Sequence, residues 1–237
     1  MLDLPCDEVH AWAVPLDGPE AVRQTLSSWL SDDERRRAER FVFDRDRNRF
    51  VICRGALRNL LSRYLDCPPY DFVFSYGAHG KPSLSHPFEG SLFFNVSHTH
   101  ELAIIAVRQQ GEIGVDVEQL RLLEDANAIA RRYFTIREQA TLERLPPADR
   151  MAAFFRCWTR KEAMLKALGV GLSVALSDVE VTIEADMPAQ VLAIRGAASE
   201  APIRWQLHHL APAPGYVGAV AYQGSQSRLI QQQWTLR

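Results

Sequence analysis

The alternation of apolar and polar positions predicts a chain of short strands separated by helices. Apolar residues at every second position, or short apolar runs bounded by turn residues, are typical of strands. They predict strands over residues 8–14, 70–76, 91–96, 102–107, 114–118, 177–184, 203–210 and 216–222. Proline and glycine residues punctuate these segments, most densely over 212–215.

Apolar residues repeat at helical spacing between these strands. Ser31 and Glu34 form a capping-box pattern, which predicts a helix running toward Arg40. A longer helix is expected over 46–65, where it ends before a pair of prolines. Further helices are expected over 126–133, 135–145 and 149–168. Two glycines, at positions 169 and 171, stop the last of them.

The order of these elements predicts the fold class. Strands surround one long helix, and this happens twice along the chain, which is typical of an α+β fold with mostly antiparallel sheets. A boundary near residue 110 divides the 237 residues into two similar halves, 1–110 and 111–237. We therefore expect two lobes of comparable size.

The composition excludes several classes of protein. With 47% apolar and 24% charged residues, the chain has the composition of a globular protein with a sizeable core. The formal net charge of −2 argues against a nucleic-acid binder that works by general attraction to phosphate. The four cysteines have no metal-ligand or CxxC spacing, which indicates reduced thiols in a cytoplasmic protein. We find no signal-peptide pattern and no membrane-spanning apolar run, so we expect neither export nor membrane insertion.

Arginine is concentrated near the first long helix, with ten arginines between Arg35 and Arg63. The simpler interpretation is a solvated helix face. The alternative is that a few of them bind phosphate, for which the planar guanidinium group is well shaped. Arg49 and Arg54 are the candidates for this role.

The segment 154–166 carries two charged residues beside an apolar stripe. At a period of 3.6 residues, Glu162 and Lys166 lie one turn apart on the helix. Taken alone, they are an ordinary surface ion pair. In the strand over 114–118, strict alternation places Asp116 and Glu118 on one face. If Glu162 converges on them, three carboxylates meet, and they must share protons or a cation.

Other polar residues point to the same chemistry. Ser97 and His98 follow an apolar strand, in a predicted turn, where a lone histidine is usually structural but can also belong to a hydrogen-bonding site. Lys81 is presented by a tight loop over 77–82. Carboxylate ligands without histidine or cysteine favour Mg²⁺, which is commonly held by a few carboxylates and by substrate phosphates. The implied substrate carries a diphosphate.

Three segments together resemble a known family. FNVSH at 94–98, GVDVE at 114–118 and WTRKEAMLK at 158–166 are similar, in order and spacing, to the signature motifs of the 4′-phosphopantetheinyl transferases of the two-lobed Sfp type. The resemblance implies two pseudo-symmetric lobes, each a small antiparallel sheet packed on a long helix, with the active site in the cleft between them. It implies transfer of 4′-phosphopantetheine from coenzyme A to a serine of an apo acyl or peptidyl carrier protein, with release of adenosine 3′,5′-bisphosphate.

The resemblance also assigns the metal and catalytic residues. Asp116, Glu118 and Glu162 would hold Mg²⁺ on the diphosphate of coenzyme A, and Lys166 would contact the same phosphates. Asp116, Glu162 and Lys166 would be catalytic, with either Glu162 or a metal-bound water as the base. The nucleophile is supplied by the carrier protein, which explains the absence of a Ser-His-Asp arrangement in this chain.

The remaining contacts to coenzyme A follow from the same resemblance. Arg54 and His98 would reach the 3′-phosphate region, and Lys81 would help to bind the nucleotide end. The full set of expected coenzyme A ligands is Arg49, Arg54, Lys81, Pro82, Ser97, His98, Asp116 and Lys166. The chain departs from the family pattern in three places. Thr99 stands where the family often has a second serine, and Phe50 falls where a hydroxyl residue can occur. Arginines at 35–37 stand where some members have lysines.

Other functions stay open from the sequence. The main alternative is a non-catalytic module that binds coenzyme A or a carrier protein. A nucleic-acid protein is a further alternative, which the balance of acids against arginines disfavours. We expect a monomer, because the chain is long enough for both lobes. The short members of the family must pair two subunits to build an equivalent cleft. Apolar residues at 120, 122 and 123 either receive the carrier protein or belong to the core.

Overall fold

One sheet from each half of the chain contributes to a shared apolar layer. The computed structural model describes residues 1–77, 80–169, 174–196 and 202–236. Val9 and Ile104 from the first half and Val115 and Val220 from the second lie in this layer, each no more than 1% exposed. Burial of this apolar surface holds the two sheets together.

The strands are β1 (Glu8–Pro15), β2 (Phe74–Tyr76), β3 (Pro82–Leu84), β4 (Phe93–Thr99), β5 (Leu102–Arg108), β6 (Ile113–Gln119), β7 (Val179–Val181), β8 (Val191–Ile194), β9 (Trp205–Leu210), β10 (Tyr216–Gln223) and β11 (Arg228–Gln233). The helices are α1 (Glu20–Ser28), α2 (Asp32–Glu39), α3 (Asp44–Leu65), α4 (Ala126–Tyr133), α5 (Ile136–Arg144) and α6 (Pro147–Leu168). Short 3₁₀ turns cover Leu176–Asp178 and Pro202–Arg204.

Both main sheets are small and mostly antiparallel. The first has the strand order β11-β1-β5-β4, in which β1 and β11 run parallel and the other pairs antiparallel. The second has the order β6-β10-β9 and is antiparallel. Two hairpins, β2-β3 and β7-β8, complete the described strand pairs.

Each main sheet is covered by a helix of 22 residues. Leu57 of α3 lies in one core cluster with Ile105 of the first sheet. Met164 of α6 lies in another cluster with Ala219 of the second sheet. The predicted α+β fold, with a small sheet and a long helix in each half, is confirmed.

The described ends of several predicted elements differ from expectation. The predicted strand over 70–76 forms only at Phe74–Tyr76. The guanidinium group of Arg58 explains this, because it donates to the carbonyls of Pro69 and Phe72 and ties that segment to α3. The predicted strand over 177–184 forms only at Val179–Val181, and the strand predicted over 203–210 begins at Trp205.

The position of Ser97 and His98 also corrects the sequence analysis. The prediction placed both residues in a turn, but β4 continues to Thr99, which pairs with Leu102 of β5. The tight turn uses His100 instead, whose φ is 50°. Both predicted site residues therefore lie on a strand.

Of the α-helices and strands in the described residues, four were not predicted: α1, β3, β8 and β11. The pattern of α1 is weak because Leu26 is its one buried residue. Strand β11 comes from residues 228–233, yet it pairs with β1 of the first half. The division of the chain at residue 110 stays a prediction. No helix in the described parts of the chain is long and apolar enough to cross a membrane.

Two basic residues within the segment 158–166 point into the second core. Lys161 is 0% exposed and donates to Glu138 and to the carbonyl of Val179. Arg160 is 2% exposed and donates to the carbonyl of Thr182, and burial lowers its pKa to about 10. These contacts fasten α6 to α5 and to the hairpin β7-β8, which fixes the rotation of the helix about its axis.

Replacing the buried lysine should destabilise the protein. Lys161→Met leaves the Glu138 carboxylate, 1% exposed as a side chain, without its cation. We expect the free energy of unfolding to fall by about 3–5 kcal/mol. For a chain of this length that corresponds to a melting temperature lower by roughly 6–20 °C, measurable by calorimetry. The double variant Lys161→Met/Glu138→Gln should recover part of the loss; an unchanged melting temperature in the single variant would contradict this role.

Candidate active site

Strand β6 lies directly against the backbone of helix α6. A Cβ atom at Gly114 would stand 2.1 Å from the carbonyl oxygen of Ala163 and 2.3 Å from the amide nitrogen of Ala167. Only glycine allows so close an approach. The helix turn in contact is the one that carries Glu162 and Lys166, so the approach brings that turn beside the acidic strand.

The ammonium group of Lys166 binds the strand. It lies 2.7 Å from Oδ1 of Asp116, 3.0 Å from Oγ of Ser97 and 3.1 Å from the carbonyl oxygen of Val115. The Ser97 hydroxyl also donates to Oδ1 of Asp116 at 2.9 Å. Asp116 is 5% exposed, so this charge-assisted contact is made in a largely desolvated place. Three predicted site residues therefore meet.

Polar side chains at alternate positions of β4 bind β6. Oδ1 of Asn95 accepts from the amide of Val115 at 2.9 Å. The hydroxyl of Thr99 donates to Oε2 of Glu118 at 3.2 Å. Ser97 lies between them and makes the contact already described. Alternation along a strand puts these three side chains on one face, and that face joins the two halves of the chain.

The three acidic residues act on one another electrostatically. The pKa of Glu162 is raised by burial and by the negative charges of Asp116 and Glu118, while Lys166 opposes the shift. Burial also raises the pKa of Glu118, again with a contribution from Asp116. Glu118 and Glu162 are therefore both partly desolvated and both feel the charge of Asp116.

The carboxylates fit a hard cation by chemistry. Their donor atoms are all oxygens. Oδ2 of Asp116 is buried and has no hydrogen-bond partner among the residues that the structure describes. Among the described residues, however, no group of three or more His, Cys, Asp or Glu side chains stands in a metal-holding arrangement. Lys166 neutralises Asp116 in this structure. The predicted set of Mg²⁺ ligands, Asp116, Glu118 and Glu162, stays a prediction.

A cleft of about 780 Å³ lies beside these residues. Both halves of the chain line it. The first half contributes Gly80, Lys81, Pro82, Asn95 and Val96, and the second contributes Arg132, Tyr133, Glu162, Leu165, Lys166, Gly169 and residues 174–177. Pockets of this size are typical of small-molecule sites.

Some residues of the cleft were not singled out by the sequence analysis. Arg132 and Tyr133 come from the end of α4, which was predicted only as a helix. The ring of Tyr133 meets that of Trp158 edge-on, with centroids 5.9 Å apart. Their place in the site depends on the packing of α4 against α6, which no local pattern reveals.

The side chain of Lys81 is bound within the protein. Its ammonium group contacts Glu112 at 2.6 Å and the carbonyl oxygens of Ile113 and Lys166 at 2.9 Å each. Pro82, the next residue, begins β3 and lines the cleft. Lys81 thus lies at the cleft, but its charge is directed toward β6 and the end of α6.

Arg54 is also occupied by protein groups. It is 9% exposed, its Nε lies 3.2 Å from Oε1 of Glu34, and its Nη2 donates to the hydroxyl of Tyr76 at 3.2 Å. The guanidinium carbon stands 5.3 Å from the ring centre of Phe74. Arg49 makes a two-pronged contact with Asp17, both at 3.1 Å, which raises the pKa of Arg49.

His98 lies at the surface of β4 near two cations. Its pKa is lowered by partial loss of hydration and by the positive charges of Lys166 and Arg37. Arg37 is exposed and belongs to the arginines over 35–37 that the sequence analysis treated as a departure from the family pattern. The positive charges of Lys166 and Arg37 therefore both act on His98 and favour its neutral form.

Comparison with known proteins gives a consistent family. Residues 112–221 match the model of the 4′-phosphopantetheinyl transferase superfamily, and residues 19–110 match that of the 4′-phosphopantetheinyl transferase N-terminal domain. The 4′-phosphopantetheinyl transferase HetI of Nostoc sp. (strain PCC 7120) is 42% identical over 224 residues, which cover 94% of this chain and 91% of the relative.

Two transferases of Bacillus are more distant. The 4′-phosphopantetheinyl transferase psf-1 of Bacillus pumilus is 31% identical over 84% of this chain and 83% of its own length. The 4′-phosphopantetheinyl transferase Sfp of Bacillus subtilis is 27% identical over 74% of this chain and 77% of its own length.

The contact at Gly114 makes a testable claim about packing. Gly114→Ala forces β6 away from α6, and overpacking of this kind costs about 1–3 kcal/mol or more. We expect a melting temperature lower by roughly 2–12 °C in a thermal unfolding experiment. Gly18→Ala is the matched control, because its nearest atom would be Ile52 Cδ1 at 3.9 Å. Equal melting temperatures for both variants would contradict the close approach.

Proposed function

Because the chain belongs to the 4′-phosphopantetheinyl transferase family, we propose that the cleft between its halves is where it transfers 4′-phosphopantetheine from coenzyme A to a serine of an apo carrier protein. The reaction releases adenosine 3′,5′-bisphosphate. The observation that carries this placement is the meeting of Ser97 and Asp116 with Lys166, which lines the cleft. Each of the three residues comes from a different one of the signature motifs.

Asp116, Glu118 and Glu162 would hold Mg²⁺ in this site. The assignment is supported by the all-oxygen donor set and by Oδ2 of Asp116, which is buried without a hydrogen-bond partner in the described parts of the chain. When bound, the ion supplies neutralisation of the charge on the diphosphate. Thr99 and Ser97 would orient the carboxylates of Glu118 and Asp116 through the hydrogen bonds they already donate.

Glu162 is the residue we assign as base. It lines the cleft, and burial together with the negative charges of Asp116 and Glu118 raises its pKa. A carboxylate with a raised pKa is a better proton acceptor. The serine oxygen of the carrier protein forms a bond to the phosphorus that bears pantetheine, the bond to the nucleotide phosphate breaks, and the serine proton passes to Glu162. Lys166 balances the developing charge at this place.

The other expected ligands divide into two groups. The pKa of His98 is lowered by burial and by the positive charges of Lys166 and Arg37. Positive charge around His98 supports contact of this region with the 3′-phosphate of coenzyme A. Arg54 and Arg49 already bind Glu34 and Asp17. For these two arginines we propose a supporting role: each holds protein segments around the site in place.

One chain supplies both walls of the cleft, which supports activity as a monomer. The alternative function is a non-catalytic module that binds coenzyme A or a carrier protein. An apo carrier protein incubated with coenzyme A, Mg²⁺ and this protein separates the two functions by mass spectrometry, because only an enzyme adds the phosphopantetheine mass. An unmodified carrier at long times would favour the binding module.

Removal of the proposed base should abolish transfer. Glu162→Gln keeps the size of the side chain but removes the proton acceptor and a charged oxygen, so kcat should fall by about 10²–10⁴. Mass spectrometry of the carrier protein measures the rate. Glu143→Gln, on the exposed surface of α5, is the control and should retain normal turnover. Turnover within threefold of the parent in Glu162→Gln would exclude the assigned role.

The segment after β6 offers a docking surface for the carrier protein. Leu120 and Leu122, two and four residues after Glu118, are 39% and 89% exposed. Leu123 instead packs against the core cluster that contains Met164 and Ala219. Exposed apolar side chains beside a site are suited to helix docking.

Leu122→Glu should raise the KM for the carrier protein by about tenfold, since it places a charge in an apolar contact worth about 1.4 kcal/mol. The KM for coenzyme A should not change. Ile136→Glu, at an equally exposed isoleucine, 86% exposed, is the control. Steady-state kinetics with each substrate varied in turn measures both constants; equal KM values for the carrier in both variants would argue against docking at Leu122.

A further inference from the structure

Lys81 joins the first half of the chain to two elements of the second. Its ammonium group has three hydrogens, and three acceptors lie within reach: the Glu112 carboxylate and the carbonyl oxygens of Ile113 and Lys166. These acceptors are 31, 32 and 85 residues away along the chain. The donors of Lys81 are therefore used by the protein itself.

One acceptor of the Lys81 ammonium group lies at the C-terminal end of a helix, where a positive charge is stabilising. Lys166 contributes one of the last four carbonyls of α6, which have no partner within the helix, and the C-terminal end of a helix attracts positive charge. Ile113 is the first residue of β6. The contact thus holds the end of α6 to the start of β6, on the side of Gly114 away from the acidic residues.

The loop around Lys81 is itself constrained. The amide of Gly77 donates to the carbonyl of Lys81 at 3.0 Å, and the amide of Gly80 donates to the carbonyl of Gly77 at 2.9 Å. Gly80 has a φ of 77°, in the region that favours glycine. Gly80 and Pro82 line the cleft on either side of Lys81. A side chain that fixes this loop therefore fixes one wall of the cleft.

We propose that Lys81 is a positioning residue, whose ammonium group fastens the cleft-lining loop to α6 and β6 and makes no contact with coenzyme A. The proposal rests on the cleft being the coenzyme A site, as given under the proposed function. It replaces the role expected from the family resemblance, in which Lys81 helps to bind the nucleotide. The contact holds Pro82 and Lys166, which both line the cleft, at a fixed separation.

Glu112 separates the two roles because it predicts opposite results. If Lys81 held Glu112 only until a phosphate arrived, Glu112→Gln would free the ammonium group and lower the KM for coenzyme A. If Lys81 only positions the loop, Glu112→Gln weakens the contact of the Lys81 ammonium group with residue 112. The KM for coenzyme A then rises or stays the same. Glu89→Gln is the matched control, since Glu89 is an exposed acid in the hollow that Glu112 and Lys81 also line.

The experiment is a double-mutant cycle on Lys81→Met and Glu112→Gln. For each variant, KM and kcat are measured with coenzyme A and with its analogue that lacks the 3′-phosphate. We expect Lys81→Met to raise KM about tenfold for both nucleotides and to change kcat less. Glu112→Gln should raise KM about twofold in the parent and have no effect in Lys81→Met, because the pair acts together. Glu89→Gln should match the parent.

A measurement without coenzyme A tests the contact of Lys81 with β6 and α6 by itself. Amide hydrogen exchange of the free protein should become at least tenfold faster in Lys81→Met at residues 113–115 and 166–169, and unchanged in Glu89→Gln. Faster exchange with an unchanged KM for coenzyme A would support the positioning role of Lys81 and refute the cleft as the coenzyme A site. A fall in KM in Glu112→Gln, an effect confined to the nucleotide with the 3′-phosphate, or unchanged exchange would overturn the proposal.

Discussion

The contact between Lys166 and Asp116 depends on how closely a strand can approach a helix. Gly114 lets β6 lie on the backbone of α6, with no room for a side chain between them. At that separation an ammonium group on the helix reaches a carboxylate on the strand at 2.7 Å. Any larger residue at position 114 would open the two elements and separate the charged groups, so the chemistry of the site follows from a packing constraint.

The first half of the chain completes this arrangement through polar contacts. Asn95, Ser97 and Thr99 present one face of β4 to β6, and each binds a different residue of that strand. On the other side of Gly114, Lys81 binds the first residue of β6 and the end of α6. Apolar burial between the sheets supplies affinity between the halves, while these directional contacts fix their relative position.

Burial also distinguishes residues within a single motif. Along 158–166, Arg160 and Lys161 turn into the core, whereas Glu162 and Lys166 face the cleft. The helical period explains the difference, because residues one position apart point about 100° from one another. The side of the helix thus decides whether a charged residue of this motif packs in the core or faces the cleft. The core contacts of Arg160 and Lys161 hold Glu162 and Lys166 in their orientation.

The sequence by itself determined the α+β class, the two long helices, the acidic strand and the family, because periodic patterns and ordered motifs are local properties of the chain. It could not show that Lys81, Arg49 and Arg54 are bound to protein groups distant along the chain. Their partners lie 20 to 85 residues away, so no local pattern records them. Likewise, β11 joins β1 across almost the whole chain. Only the tertiary structure decided these contacts, because the packing of α3 and α6 on their sheets fixes which charges meet.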